Sequence, residues 1–463
     1  MSLQGIGRRL GFASRARRGR RLAPAIACAL LVAGLVESTG CEDAYEPPCR
    51  RVTTSALVTD PRIGARPLLA VARSRGRAIA SWFSREVVDA GADGGASGLP
   101  AFTALEVAVV DERGALALHT SVPAPEALRA RLGGVAAVGV VVEDSAFFVY
   151  WIETTATSEP DGRIRTDAAL KAAYVRDGVA SPTFAPARAV CVACTLTVAP
   201  ATLGSETIVF ARIDPDVTRR TLAADAAPTI VALHFREGEA ATEVPVPWLV
   251  PSAPVPSSDG GLAGLSGGAE SRSAAAGGDL SAYVDADARV VIVAGGRAWL
   301  ADEALGLVAG PIALPSAPDA RVTWDDRGAA SVAWSVSPLA DGRSTAEVPR
   351  EIFTGFVAPG ASSVASRERA SRGRATLDVD RRGEEVGVIF ESAGRTIFAA
   401  VDPAGRKRGG DVIVERRSTG APHEYGTLTV PSAHALFARG GGRFHVVSLG
   451  GGALDVSEIV CAP

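Results

Sequence analysis

Few residue patterns in this 463-residue chain have a spacing that enzymatic chemistry requires. Gly264-Leu-Ser266-Gly-Gly268 carries the letters of a serine-hydrolase elbow, Gly-x-Ser-x-Gly. That elbow needs a strand before the serine and a helix after it, whereas this copy lies in a Gly/Ser/Ala-rich stretch. The sequence contains neither a Gly-x-x-x-x-Gly-Lys phosphate loop nor a dinucleotide-binding fingerprint. It therefore predicts no catalytic residue and no cofactor.

Residues that could bind a metal are scattered. We interpret each of the five histidines as a strand or turn residue with its own hydrogen bond: His119, His234, His423, His434 and His445. The pairs Asp214/Asp216 and Asp285/Asp287 lack the bidentate glutamate that completes a calcium loop. Turn chemistry explains the aspartates that fall at a repeated hairpin position: Asp285, Asp287, Asp325, Asp326 and Asp380. No metal site is predicted.

The N-terminus has the layout of an export signal. Residues 1–21 contain seven arginines and no acidic residue, and the apolar run 22–36 follows directly. This run of about fifteen residues is shorter than the roughly twenty that a membrane-spanning helix needs. Ser38-Thr39-Gly40-Cys41 resembles the lipobox of bacterial lipoproteins, although leucine usually occupies the place of Ser38. The resemblance implies a lipid on Cys41, and Glu42 after it favours the outer membrane or cell surface; the periplasm or secretion is the alternative.

The remaining cysteines fit an oxidising compartment. Cys28 lies in the leader, so four cysteines are left besides Cys41: Cys49, Cys191, Cys194 and Cys461. We favour one disulfide between Cys49 and Cys461, near the two ends of the mature chain, and a local one between Cys191 and Cys194. A redox site at Cys191-Val-Ala-Cys194 would need a helix after the motif, whereas Thr195-Leu-Thr-Val is typical of a strand.

A hairpin signal recurs at a fixed offset. In four places a large apolar residue follows a turn residue by six positions: Gly76 and Trp82, Ser145 and Trp151, Gly328 and Trp334, Gly383 and Ile389. Glycine supplies the positive φ of a tight turn, and the large side chain packs between neighbouring sheets. Because these tryptophans occupy the same position in each repeat, we interpret them as packing residues rather than as a sugar-binding surface.

Valine- and alanine-rich runs between Gly/Asp/Pro turns indicate an all-β chain. Four-strand units can be laid out from seven starting points: Pro67, Val135, Ala187, Leu280, Arg321, Thr376 and Gly426. This pattern resembles generic bacterial β-propeller repeats, without the signature of a specific family. The resemblance implies a β-propeller, most simply with seven four-stranded blades, with six or eight still open. Two β-sandwich domains divided within 252–278 are the alternative. Strand 51–60 is expected antiparallel to strand 453–460.

The predicted layout is a signal peptide over 1–40, a lipidated tether over 41–50 and a propeller over 51–463 with a low-complexity insertion at about 252–278. Long irregular stretches should lie on one face of the repeat: 86–103, 157–168, 214–228, 338–350 and 252–278. We therefore expect a non-enzymatic binding or scaffolding protein that recognises a protein or glycan in the envelope. A hydrolase or lyase with an axial active site and a purely structural envelope protein are the alternatives.

The net charge of the chain limits the classes of binding partner that we expect. The net charge is −3, and removal of the arginine-rich leader makes the mature chain clearly acidic. Nucleic acid, which binds basic surfaces, is therefore not expected as a partner. We expect a monomer that reaches the membrane only through its lipid.

Overall fold

A computed structural model describes sixteen stretches of the chain: 49–60, 70–85, 102–130, 135–143, 146–158, 164–191, 195–203, 206–214, 229–249, 280–315, 320–336, 350–373, 375–393, 395–415, 434–450 and 452–462. Their regular structure is β-strand apart from one short helix, α1 (Glu126–Ala130). No helix within these stretches is long and apolar enough to cross a membrane.

The described strands form six sheets, one of which has eight strands and contains a single parallel bridge between two antiparallel halves. Counting these halves separately gives seven antiparallel modules in chain order. Module 1 contains β2 (Ala70–Ser74), β3 (Arg77–Arg85), β4 (Phe102–Val110) and β5 (Leu116–Pro123). Module 2 contains β6 (Val135–Val142), β7 (Phe147–Ser158), β8 (Ile164–Arg176), the short β9 (Val179–Ala180) and β10 (Phe184–Cys191). Module 3 contains β11 (Thr195–Leu203), β12 (Glu206–Asp214), β13 (Thr229–Phe235) and β14 (Thr242–Val244).

The later modules repeat this order. Module 4 contains β15 (Ser281–Val284), β16 (Val290–Ala294), β17 (Arg297–Ala301) and β18 (Leu307–Ala313). Module 5 contains β19 (Arg321–Trp324), β20 (Ala330–Val336), β21 (Arg350–Val357) and β22 (Glu368–Gly373). Module 6 contains β23 (Ala375–Arg382), β24 (Glu385–Ser392), β25 (Arg395–Val401) and β26 (Lys407–Glu415). Module 7 contains β27 (His434–Gly440), β28 (Arg443–Gly450), β29 (Ala453–Cys461) and, from the other end of the chain, β1 (Cys49–Thr59).

Module 7 joins the two ends of the described chain. Strand β1 is antiparallel to β29, with Cys49 opposite Cys461 and Thr59 opposite Ala453. This register confirms the pairing expected for these two segments. The two cysteines form a disulfide, with their sulfurs 2.08 Å apart. This bridge is the one favoured from the sequence.

The core lies between modules rather than within them. Seven hydrophobic clusters occur among the described residues, and each draws its members from two modules. Six clusters join consecutive modules, and the seventh joins module 7 to module 1. The residues predicted to pack after the hairpin turns are all in these clusters and at most 2% exposed: Trp82, Trp151, Trp334, Ile389 and Phe390. A single module is too thin to bury both its faces, so each sheet covers the next.

The turns between strands one and two and between strands three and four lie at the same end of each module. We call this end the hairpin face, and the opposite end the insertion face. Gly76, Gly328 and Gly383 have φ values of 73°, 78° and 60° in these turns, as the hairpin interpretation requires. Helix α1 connects β5 to β6 and therefore lies on the insertion face.

Aspartates stabilise several turns of the hairpin face. In four of the described turns, an aspartate Oδ1 accepts hydrogen bonds from the backbone N–H groups two and four residues later: Asp111, Asp285, Asp302 and Asp325. Asp285 and Asp325 thus have the turn role expected of them. The carboxylate satisfies two N–H groups that the tight turn leaves without a strand partner.

Replacement of Asp111 by alanine should lower the free energy of unfolding by about 1–2 kcal/mol, because two side-chain to backbone hydrogen bonds are lost. Urea unfolding of the Asp111→Ala variant measures this loss. Arg113→Ala in the same turn is the matched control, because it is exposed and contributes only its backbone N–H. Equal losses in the two variants would refute a specific role for the carboxylate.

Two expectations about the layout were wrong. The third module does not begin near Ala187, because Phe184–Cys191 pairs with β8 as the last strand of module 2. The stretch 157–168 is largely regular, because β7 continues to Ser158 and β8 begins at Ile164. Cross-strand pairing with the rest of module 2 overrides the local turn signals here.

Candidate functional site

Charged side chains from different modules converge where the first strands meet. Arg73 on β2 lies against Asp378 and Asp380 on β23, although about three hundred residues separate them in the chain. Alternate residues of a strand point to the same side, so the two carboxylates face Arg73 together. With Tyr283 on β15 and Phe437 on β27, these side chains form what we call the hub.

Arg73 is the centre of the hub. Its Nη1 donates to the Asp378 carboxylate at 3.1 and 3.3 Å and to the Val379 carbonyl at 3.0 Å. Its Nη2 donates to Asp380 Oδ1 at 2.5 Å. The three charged side chains are only 11%, 11% and 14% exposed. Charge-assisted hydrogen bonds at this depth are strong and directional.

Backbone donors complete the environment of both carboxylates. Leu436 N donates to Asp378 Oδ2 at 2.9 Å, and Ala438 N donates to Asp380 Oδ2 at 2.7 Å. Asp378 Oδ1 also accepts from Val379 N. All four carboxylate oxygens therefore have donors, and modules 1, 6 and 7 are joined through this one cluster.

Two aromatic rings flank the guanidinium. The Arg73 Cζ atom lies 4.6 Å from the Tyr283 ring centroid and 5.6 Å from that of Phe437. These distances suit cation–π attraction in a site with little water. The Tyr283 hydroxyl donates to the Val322 carbonyl at 2.6 Å, which links module 5 to the same cluster.

Burial shapes the electrostatics of the hub. Burial opposes the charged form of Arg73, but attraction to Asp378 and Asp380 outweighs it and raises the arginine pKa. Burial raises the pKa of Asp380 above its ordinary value of 3.8, against the opposing effect of Arg73. Burial likewise raises the pKa of Tyr283. One guanidinium thus compensates two carboxylates in a largely dry environment.

Modules 1 and 4 also touch directly beside the hub. Ser74 pairs with Val284 as a single parallel bridge between β2 and β15, and Arg75 N donates to the Val284 carbonyl at 3.0 Å. Arg75 Nη2 and Glu303 Oε1 form an exposed ion pair at 2.9 Å. The charged groups of the hub are therefore bonded to one another and to backbone atoms.

A second polar cluster lies between modules 2 and 3. The half-buried Glu143 carboxylate accepts hydrogen bonds from the hydroxyls of Thr207 and Tyr174. Burial raises the pKa of Glu143, and these two hydrogen bonds act in the opposite direction. The neighbouring ion pair between Arg176 and Glu237 crosses the same boundary. This cluster, too, joins one module to the next.

Two of the described histidines, His434 and His445, have the hydrogen bond expected of them. His434 Nε2 lies 2.9 Å from the Thr396 hydroxyl, and His445 Nδ1 lies 3.1 Å from the Glu112 carbonyl. His234 contacts Glu206, and His119 stacks on Trp82. Among the residues of the described stretches, no group of three or more His, Cys, Asp or Glu side chains is placed to hold a metal.

Several predicted residues lie outside the described part of the chain. They are Cys41, Cys194, His423, Asp216, Ser145 and the elbow residues around Ser266. Cys191 ends β10, but its side chain is likewise not described, so the local disulfide stays a prediction. Asp214 is the last residue of β12.

One expectation about Asp380 was wrong. It lies inside β23 and belongs to the hub, not to a turn. Sequence reasoning also missed Arg73, Asp378 and Tyr283. The available signal was Asp378-Val-Asp380, two carboxylates on the same side of a strand in a repeat of packed sheets, which is costly unless a cation lies opposite.

Comparison with known proteins identifies no family. No protein-family model matches the chain, and no curated protein matches it. Solved structures that it resembles include a protein of unknown function from Dyadobacter fermentans DSM 18053, at 11% identity and a TM-score of 0.39, covering 90% of this chain and all of that one. BamB from Moraxella catarrhalis, a propeller-like protein, aligns at 12% identity and a TM-score of 0.34 over 89% of this chain and 99% of its own.

A third similar structure is an enzyme. The polysaccharide lyase Uly1 aligns at 8% identity and a TM-score of 0.37, covering 92% of this chain and 94% of that chain. All three TM-scores are below 0.5, so we base no argument about activity on these matches. The chain is an all-β protein of repeated four-stranded antiparallel sheets, and propeller-like folds are among its structural neighbours.

Proposed function

We propose that this chain is an exported, lipid-anchored β-propeller of seven blades that acts as a non-enzymatic binding or scaffolding protein. Seven modules and a hydrophobic cluster between the last and the first support a closed ring. The disulfide between Cys49 and Cys461 supports the same closure. The signal-like leader and the lipobox resemblance at Cys41 support export and anchoring to the outer membrane or cell surface.

The bonding within the hub supports the non-enzymatic part of the proposal. Asp378 and Asp380 of module 6 both accept hydrogen bonds from Arg73 of module 1, and backbone N–H groups of module 7 bind the same two carboxylates. A catalytic carboxylate needs space for a substrate next to it. A rigid joint suits a protein that presents a surface, and the insertion face offers that surface.

A hydrolase or lyase is the second candidate, and Glu143 is the observation that favours it. Its carboxyl has a raised pKa and a tyrosine hydroxyl in contact, features that acid–base catalysis uses. Glu143→Gln would abolish turnover of any substrate under that hypothesis. Unchanged turnover would exclude Glu143 as the catalytic group.

The binding proposal predicts that envelope extracts contain a partner retained through the insertion face. The mature chain should capture it, and replacement of residues 88–99 by a short Gly-Ser linker should reduce its recovery about tenfold, as loss of about 1.4 kcal/mol of binding energy does. Quantitative mass spectrometry of the captured proteins and glycans measures this recovery.

Arg113→Ala and Arg327→Ala on the hairpin face are the control variants and should retain the partner. Equal recovery with every variant would remove this segment from the proposal. Metabolic labelling with a clickable fatty acid tests the anchor separately, because the label should disappear in Cys41→Ser.

A further inference from the structure

The chain reaches the first described strand at the hairpin face. Strand β1 begins at Cys49, which pairs with Cys461 at the end of β29. Cys461 N donates to the Gly442 carbonyl at 2.7 Å, and Gly442 lies in the turn between β27 and β28. Because that turn is the first hairpin of module 7, Cys49 lies at the hairpin end of the sheet, and β1 runs from there to the insertion end.

Polar contacts join the hairpin ends of several neighbouring modules. Arg439, the second-last residue of β27, forms an ion pair with Glu112 of module 1, at 3.1 Å between Nη1 and Oε2. Arg381 of module 6 contacts Asp325 of module 5 at 3.0 Å.

Similar contacts join the hairpin ends of two further pairs of modules. Arg289 of module 4 donates to the Asp325 carbonyl at 3.0 Å. Arg176 and Glu237 join the hairpin ends of modules 2 and 3. A tether attached at Cys49 therefore emerges from the side of the molecule that carries the tight turns.

The length of the tether limits how the molecule can be placed on a bilayer. Eight residue steps separate Cys41 from Cys49, which span at most about 29 Å in any conformation. Strand β1 contains two register shifts, and the 9 residues of β29 with which it pairs cover about 27 Å between the two faces. A lipid on Cys41 would therefore reach a bilayer under the insertion face only with the tether almost fully extended along the edge of the sheet, whereas a bilayer under the hairpin face requires no such extension.

Exposed arginines occur where the chain leaves the tether. Arg50 and Arg51 follow Cys49 directly, and both are exposed. Arginines near a membrane surface are attracted to anionic headgroups. These two side chains would therefore lie next to the headgroups if the hairpin face met the bilayer.

We propose that the anchored protein is oriented with its hairpin face towards the membrane and its insertion face away from it, towards its partner. This inference rests on the lipid attachment at Cys41 made under the proposed function. It adds the direction in which the binding surface points, and it makes the insertion face the one accessible to a bulky protein or glycan.

Lipid photocrosslinking tests this orientation. The benzophenone amino acid p-benzoylphenylalanine would replace either Arg327 on the hairpin face or Arg129 on the insertion face, since both are exposed. Each full-length variant, purified with its lipid, would be reconstituted in vesicles of phosphatidylethanolamine and phosphatidylglycerol that contain an alkyne-labelled phospholipid. We expect the position-327 variant to give at least about tenfold more lipid adduct than the position-129 variant.

A variant with a longer tether tests whether the length of the tether causes the orientation. Lengthening the segment between Cys41 and Cys49 about fourfold with Gly-Ser repeats should reduce the difference between the two positions. Equal adducts in the original tether, more adduct at position 129, or none at either position would overturn the orientation. Mass spectrometry of the N-terminal peptide distinguishes a wrong orientation from a missing lipid. An unmodified Cys41 would refute the lipidation itself.

Discussion

Replacement of Arg73 by methionine is expected to lower the free energy of unfolding by about 3–5 kcal/mol, the usual cost of removing one partner from a buried ion pair. The variant leaves Asp378 and Asp380 facing each other at 11% and 14% exposure without a cation. It also removes the bonds between modules 1 and 6, whereas the backbone donors of module 7 still bind both carboxylates. Equilibrium unfolding in guanidinium chloride, followed by tryptophan fluorescence, measures the loss.

Arg75→Met is the matched control for this prediction. Arg75 lies two residues further along, and its ion pair with Glu303 is 39% and 59% exposed, so less than about 1 kcal/mol should be lost. A triple variant, Arg73→Met with Asp378→Asn and Asp380→Asn, should recover part of the stability because no buried charge remains. Equal stability of Arg73→Met and the wild-type protein would show that the hub does not join the modules.

Removal of the disulfide is expected to cost about 4 kcal/mol in the double variant Cys49→Ala/Cys461→Ala. The bridge spans 412 residues, so it restricts nearly the whole unfolded chain, and such restriction accounts for much of the effect of a disulfide. In the folded protein, β1 would be held to β29 by strand pairing alone. Thermal and urea unfolding of the oxidised wild-type protein and the double variant compare the two states.

Reduction separates the cross-link from the packing of the two cysteines, which are 2% and 8% exposed. Reduced wild-type protein keeps both sulfur atoms and should lose most of the same stability. Reductant should change the double variant little, which controls for Cys191 and Cys194. A reduced wild-type protein as stable as the oxidised one would contradict the proposed role of the bridge in closing the ring.

Much of the fold could be predicted because the governing interactions are local or periodic. The spacing of six residues between Gly328 and Trp334 follows from one tight turn and one strand, and both features occur in the structure. The register of β1 with β29 could be predicted because a disulfide between the two terminal cysteines admits few alignments of the two strands. Local turn chemistry likewise explains Asp285 and Asp325.

The all-β class, the hairpin repeat and the pairing of the chain ends follow from the residues alone, since each depends on neighbours along the chain or on matched patterns. Packing between distant strands places Asp380 in a buried cluster, because its partner Arg73 lies on a strand from the other end of the chain. It also decided that Phe184–Cys191 closes module 2, because two apolar strands in succession have the same pattern in either sheet. Which strand lies beside which is a property of the packed chain, and contacts at long sequence separation leave no periodic signal in a single sequence.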